Sequence, residues 1–190
     1  MCSEISRHKN GAEWRNFYGR FKGKSLSATQ AEALITEFEN YSLENISWEE
    51  NPQRNKIKLF EIFDAKPVWL EIGFGGGEHL IHQAILNPDI GFIGCEPYQN
   101  GVAKLMGKLS VNPCQNIKVY DGDVRNIFDV LSKNSISKVF LLYPDPWPKK
   151  KHHRRRFVTQ EFLVPLYETM KKGSILRIAT DIEDYVRQAL

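Results

Sequence analysis

From residue 67 onward, short apolar runs alternate with stretches in which apolar residues recur every three or four positions. The first kind of pattern predicts buried strands and the second predicts amphipathic helices. Pro67 to Ile72 is an apolar run that stops at glycines, and Glu78 to Asn87 carries Leu80, Ile81, Ala84 and Ile85 at helical spacing before Asn87-Pro88 ends it. The alternation then predicts a strand over Ile90 to Cys95, a helix over Gln99 to Leu109, a strand over Asn116 to Tyr120 and a short helix near Arg125 to Lys133. A strand over Ser137 to Tyr143, a helix over Thr159 to Lys172 kinked by Pro165, a strand over Ser174 to Ala179 and a helix over Ile182 to Leu190 complete it. Repeated strand–helix units with right-handed crossovers make an α/β fold with a doubly wound, mainly parallel sheet. Ligands of such sheets sit beyond the carboxyl ends of the strands.

Ahead of this core, Ala31-Leu34-Ile35-Phe38 and Ile57-Phe60-Phe63 have helical spacing. Residues 1–66 are therefore read as a basic, helical N-terminal segment packed on a core of residues 67–190, one domain overall.

With 42% hydrophobic and 26% charged residues, the 190-residue chain has the composition of one globular domain. No apolar run approaches the roughly 18 residues of a membrane helix, and the first residues lack a signal-peptide core, so a cytoplasmic location is expected. Cys2, Cys95 and Cys114 have neither disulfide-framework nor zinc-site spacing and read as reduced thiols; no metal is expected. Charge is uneven. Residues 1–26 carry +4 and Lys149 to Arg156 carry +6, which against a chain total of +3 leaves −7 for the rest. Two basic segments on an acidic body have the layout of a polyanion-binding face.

The chemistry-bearing residues fall at strand ends. Glu71 closes the first strand, and glycines follow at 73, 75 and 77. Glycine admits positive φ and lets a ligand approach bare backbone. A dinucleotide loop would need G-x-G-x-x-G, but counting from Gly73 the third glycine is Glu78, an acid where pyrophosphate would sit. S-adenosylmethionine, an ammonium and a sulfonium without phosphate, suits this loop better. Glu96 ends the second strand, where a carboxylate accepts ribose hydroxyls, and Asp123 follows the third, where one takes an adenine amino group. Three acids at successive strand tips point to a nucleoside-type methyl donor bound by Glu71, Gly73, Glu96 and Asp123.

After the fourth strand, Leu141-Leu-Tyr-Pro-Asp-Pro-Trp-Pro148 is a rigid segment that presents Asp145 and Trp147 to a planar ligand. Lys149 to Arg156 follows directly, and an aromatic beside six cations suits bases plus phosphates. Three other readings share part of this pattern: a methyltransferase for another substrate, a non-enzymatic RNA-binding module, and a nicotinamide dehydrogenase lacking its third glycine.

At these residues the chain resembles the tRNA (guanine-N7)-methyltransferase family of class I methyltransferases, whose core is Rossmann-like. The resemblance is carried by Arg15 to Gln30, the loop Glu71 to Gly77, Tyr143 to Arg156 and Ala179 to Tyr185. It implies S-adenosylmethionine as cofactor, tRNA as partner and the variable-loop guanosine at position 46 as target. By the same resemblance Glu71, Glu96, Asp123 and Asp145 are donor-site residues, with Asp145 at the reacting centre. Lys149 and Asp181 are substrate contacts, and Lys151, Arg154, Arg155 and Arg156 hold RNA. The family's C-terminal Thr-x-Phe-Glu motif and two further strands do not occur in these 190 residues. Ser174 to Ala179 is accordingly expected to be a sheet edge, and the chain to be a C-terminally shortened form impaired in turnover. Its oligomeric state is left open.

Overall fold

Five short apolar segments, each followed by a break and a helix, assemble side by side because their polar backbone can be satisfied only by one another. The computed structural model describes residues 15–190. Strands β1 (Val68–Ile72), β2 (Gly91–Cys95), β3 (Ile117–Tyr120), β4 (Ile136–Leu142) and β5 (Met170–Ala179) form one parallel sheet in the order β3-β2-β1-β4-β5. The chain winds outward from β1 to β3, then crosses back to β4, so the strand order reverses between β1 and β4. Crevices at such a reversal bind ligands. The strands end level there, with Ile72 opposite both Cys95 and Leu141.

The helices α1 (Ala28–Tyr41), α2 (Leu59–Ile62), α3 (Glu78–Leu86), α4 (Gln99–Leu109), α5 (Val124–Val130), α6 (Gln160–Thr169) and α7 (Glu183–Ala189) divide between two faces. One buried cluster joins Phe92 and Val119 of the sheet to Leu80 of α3, Leu105 and Met106 of α4, and Ala33 of α1. The other joins Leu70, Ile93, Val139 and Leu141 to Ile127 of α5, Leu166 of α6 and Tyr185 of α7. Leu43, Ile46, Ile57 and Phe63 enter this second cluster, and α1 lies against α4. The segment before residue 67 thus shares both cores. Arg7, Lys9 and Cys2 lie outside the described residues, while Cys95 and Cys114 are buried free thiols. No helix of the described residues is long and apolar enough to cross a membrane.

Two elements differ from expectation. The Ile57-Phe60-Phe63 pattern is not a helical face: α2 is four residues long, and Phe60 is 72% exposed while Ile57 and Phe63 are buried. The helix expected to reach Lys172 runs through Pro165 but stops at Thr169, and β5 begins at once. Met170 pairs with Ile136, the register then shifts, and Ile175 to Ala179 pair with Lys138 to Leu142. Gly173, at φ 79, lies in the shifted stretch, where a positive φ favours glycine. β5 pairs only with β4 and is an edge strand among the described residues.

Candidate functional site

Gly73, Gly75 and Gly77 have φ of 74, 57 and 78, so the turn from β1 into α3 uses a conformation that other residues adopt only under strain. Open space lies where side chains at Gly73 and Gly75 would be, leaving the backbone bare to a ligand. Glu96 holds this loop: Oε2 accepts from the Gly75 N–H at 2.7 Å and Oε1 from the Tyr98 N–H at 2.9 Å. A methyl group on Gly101 would run into the Gly75 carbonyl oxygen, so α4 can approach the loop only with glycine there. From the far end of α4, Lys108 donates to the Gly76 carbonyl at 2.6 Å and to Glu78.

The carboxylates behave differently from one another. Burial pushes the Glu96 carboxyl above the usual range, opposed by its two backbone donors. Glu71 is 3% exposed and does not line the cavity; its Oε2 lies 2.6 Å from His79 Nδ1, beneath the loop. Burial raises its pKa too, and the His79 bond opposes the rise. Asp123 caps α5, accepting from the Arg125 N–H at 2.9 Å, and both its oxygens are clasped by the Arg125 guanidinium. The expectation that it faces an adenine amino group therefore meets a competitor: Asp123 lines the cavity, but its carboxylate is turned to Arg125.

At the end of β4, Tyr143 and Trp147 stand at φ 50 and 40, each directly before a proline. Non-glycine residues there cost about 1–3 kcal/mol each and persist only where surrounding structure over-determines them. Two bonds do so: Tyr143 N–H to the Ala179 carbonyl at 2.7 Å, and Arg156 Nε to the Pro146 carbonyl at 2.9 Å. Asp145 is exposed between them.

Arg156 corrects its expected role as an RNA contact. It is 1% exposed, donates also to Gln188 at 3.0 Å and to the Asp184 carboxylate at 2.8 Å, and lies over the Tyr185 ring. A guanidinium so enclosed ties the Pro144–Pro148 segment to α7 and cannot meet a phosphate. Lys149, Lys151, Arg154 and Asp181 are exposed and outside the cavity wall. Arg155 instead lines the cavity, its guanidinium 4.6 Å from the Tyr18 ring centre and 4.9 Å from that of Trp147.

These parts enclose a cavity of about 730 Å³ that brings together Gly73, Gly75, Glu96, Asp123, Asp145 and Trp147. Bare glycine backbone beside acidic side chains fits a cationic nucleoside donor and not a phosphate-bearing one. The N-terminal segment forms a roof: Asn16 to Arg20 line the cavity, held at one end by Arg15 on Asp129 at 2.8 Å and Arg125 on the Asn16 carbonyl. At the other end the Gln99 N–H donates to the Phe21 carbonyl and the Gly23 N–H to Asn100 Oδ1, both at 2.9 Å. The sequence signals for this strap are the resemblance over Arg15 to Gln30 and the aromatics at 17, 18 and 21 amid cations. Among the described residues, no three His, Cys, Asp or Glu side chains are placed to hold a metal.

A family model described as "Putative methyltransferase" matches residues 65–190. A tRNA (guanine-N(7)-)-methyltransferase of Ruegeria sp. (strain TM1040) is 56% identical over 184 residues, covering 97% of this chain and 72% of the relative. Another of that name from Roseobacter denitrificans is 60% identical over 176 residues, covering 93% and 76%. Among solved structures, the aminoglycoside resistance methyltransferase NpmB1 shares the fold with a TM-score of 0.52 at 19% identity, over 67% of this chain and 62% of that one.

Proposed function

The chain belongs to the tRNA (guanine-N(7)-)-methyltransferase family, and from that membership we propose that its cavity transfers the methyl group of S-adenosylmethionine to N7 of a guanine in tRNA. The observation that carries this reading is the meeting, in one cavity, of the bare glycine loop, Glu96, Asp145 and the aromatic–cationic mouth. When bound, the donor supplies a methyl carbon activated by a sulfonium leaving group. Gly73, Gly75 and Glu96 would bind it, with Asp123 on the neighbouring wall and Glu71 supporting the loop from below.

Guanine N7 carries an in-plane lone pair and no proton, so the protein needs no general base. Its task is alignment, from which effective-molarity gains of about 7–11 kcal/mol are available. Asp145, on its constrained segment, would hold the guanine amide edge and offset positive charge arising on the base. Lys149 and Asp181 would position the nucleotide, and Lys151 and Arg154, both exposed, would take phosphates. The strap over the cavity would exclude water during transfer. The finer assignment is the variable-loop guanosine at position 46, and the setting is the cytoplasm, where tRNA is processed.

The test is incubation with labelled donor and bulk tRNA, then cleavage at N7-methylguanine to locate the product. Label at N7 of variable-loop guanine supports the reading. Label in another base, or in small molecules only, overturns it.

A further inference from the structure

Two rings and one cation define a slot at the cavity mouth. Tyr18 from the strap and Trp147 from the β4 segment have centroids 6.4 Å apart at 75°, and the Arg155 guanidinium lies against both. Arg155 has few other ties. Its Nε is buried without a hydrogen-bond partner, and no ion pair of the described residues includes it, unlike Arg156 with its four acceptors. A guanidinium held by ring faces alone, with a donor left unsatisfied, can be displaced by a planar base that stacks on the same rings, because the released cation gains a phosphate partner.

Resting on the methyl-transfer reading above, we propose that Tyr18 and Trp147 form the guanine slot, and that Arg155 fills it until the RNA enters. In the transfer, the N7 lone pair forms the new N–C bond as the C–S bond breaks and its electron pair goes to sulfur. No proton moves, and the positive charge passes from sulfur to the purine. Ring faces that already hold a guanidinium attract a cationic purine more than a neutral one. The slot therefore binds the transition state better than the neutral base, which is what accelerates the chemical step. Displaced from the rings, Arg155 becomes free to meet a phosphate beside exposed Arg154. Tyr18 also gives the strap a chemical role besides covering the cavity.

The test compares the wild type with Tyr18→Leu, Tyr18→Phe, Trp147→Leu and Arg155→Ala. Each Leu variant should lower kcat on tRNA about 3–30-fold with donor affinity within about 3-fold, and Tyr18→Phe, which keeps a ring, should recover most of the loss seen in Tyr18→Leu. Calorimetry should show 7-methylguanosine 5′-monophosphate binding more tightly than guanosine 5′-monophosphate. That preference should be lost in the Leu variants and strengthened in Arg155→Ala, whose slot is vacated. Arg155→Ala also keeps the idea testable if a Leu variant fails to fold. Equal binding of the two nucleotides by wild type, or loss of donor affinity in Tyr18→Leu, would overturn the slot. A wild type inactive on tRNA would instead reject the methyl-transfer reading, while the nucleotide preference still reports on the rings.

Discussion

Arg156→Ala is expected to damage stability and leave the electrostatics of tRNA binding nearly untouched, the reverse of Arg154→Ala two residues away. The Arg156 side chain is fully buried and donates to Pro146, Asp184 and Gln188. A hydrogen bond from a charged donor contributes about 1.5–3 kcal/mol net, and bonds sharing one guanidinium do not add independently. The Asp184 carboxylate is largely exposed and recovers water when its partner leaves, so no stabilisation is assigned to that pair. What remains is the orphaned Pro146 carbonyl, the lost Gln188 and Asp184 backbone contacts, and a cavity over Tyr185, together about 3 kcal/mol. At about 2–4 °C per kcal/mol for a chain of this size, Tm should fall about 6–12 °C.

Arg154 is exposed and its truncation should stay within about 0.5 kcal/mol. It should instead reduce the slope of log affinity for tRNA against log salt by about 0.7–0.9, one phosphate contact's worth. Thermal melts and filter binding across a salt series measure both. An Arg156→Ala protein with unchanged Tm and a flattened salt slope would refute the division between these two arginines.

Glu96→Ala removes the acceptor that fixes Gly75 and is expected to weaken donor binding at least 10-fold by calorimetry, since a charged acceptor is worth about 1.5–3 kcal/mol; unchanged affinity would take Glu96 out of the site. Gly101→Ala drives a methyl into the Gly75 carbonyl, so donor affinity should fall although the residue need touch no ligand, and wild-type affinity would show that the loop yields cheaply. Burial raises the folded-state pKa of Glu71 above the unfolded value of about 4.3, so the wild type loses stability as pH rises through that interval and the penalty is constant above it. Glu71→Gln, which cannot ionise but can still accept from His79, should gain stability relative to wild type between acid and neutral pH in paired melts; a relative loss would mean that the His79 bond outweighs burial.

The strand ends were legible because each apolar run stops at a residue that cannot continue it, as at Gly73 after Ile72 and Pro97 after Glu96. That placed Gly73, Glu96, Asp123 and Asp145 at one end of the sheet, where the cavity lies. The α6–β5 junction was hidden because Met170-Lys-Lys-Gly173 reads as a frayed helix end, and only pairing with Ile136 makes Met170 a strand residue. The Asp123–Arg125 clasp is local and was within reach, since an N-cap acid two residues before an arginine can bond both its backbone and its side chain. The Glu71–His79 pair, the Tyr18 contact and the burial of Arg156 depend on packing between distant segments, which no local pattern encodes.

The basic run shows most clearly how residues alike in sequence are separated in space. Lys150 to Arg155 form a 3-10 turn, in which residues three apart eclipse and neighbours point about 120° apart. From Lys151 to Arg156, the residue that caps the turn, three directions result, each occupied by a pair. Lys151 and Arg154 face solvent. His152 and Arg155 both meet the Trp147 ring. His153 and Arg156 both reach Asp184, at 3.2 and 2.8 Å. One face can hold a polyanion, the next shapes the mouth of the cavity, and the third anchors the strained Pro144–Pro148 segment to α7. An α-helical turn would have smeared these six residues over 100° steps and mixed the faces, so the tighter turn is what lets one short run serve all three purposes. Total charge is then a poor guide to phosphate contacts here. Of the three consecutive arginines, one is exposed to solvent, one lies against two rings at the cavity mouth, and one is part of the core.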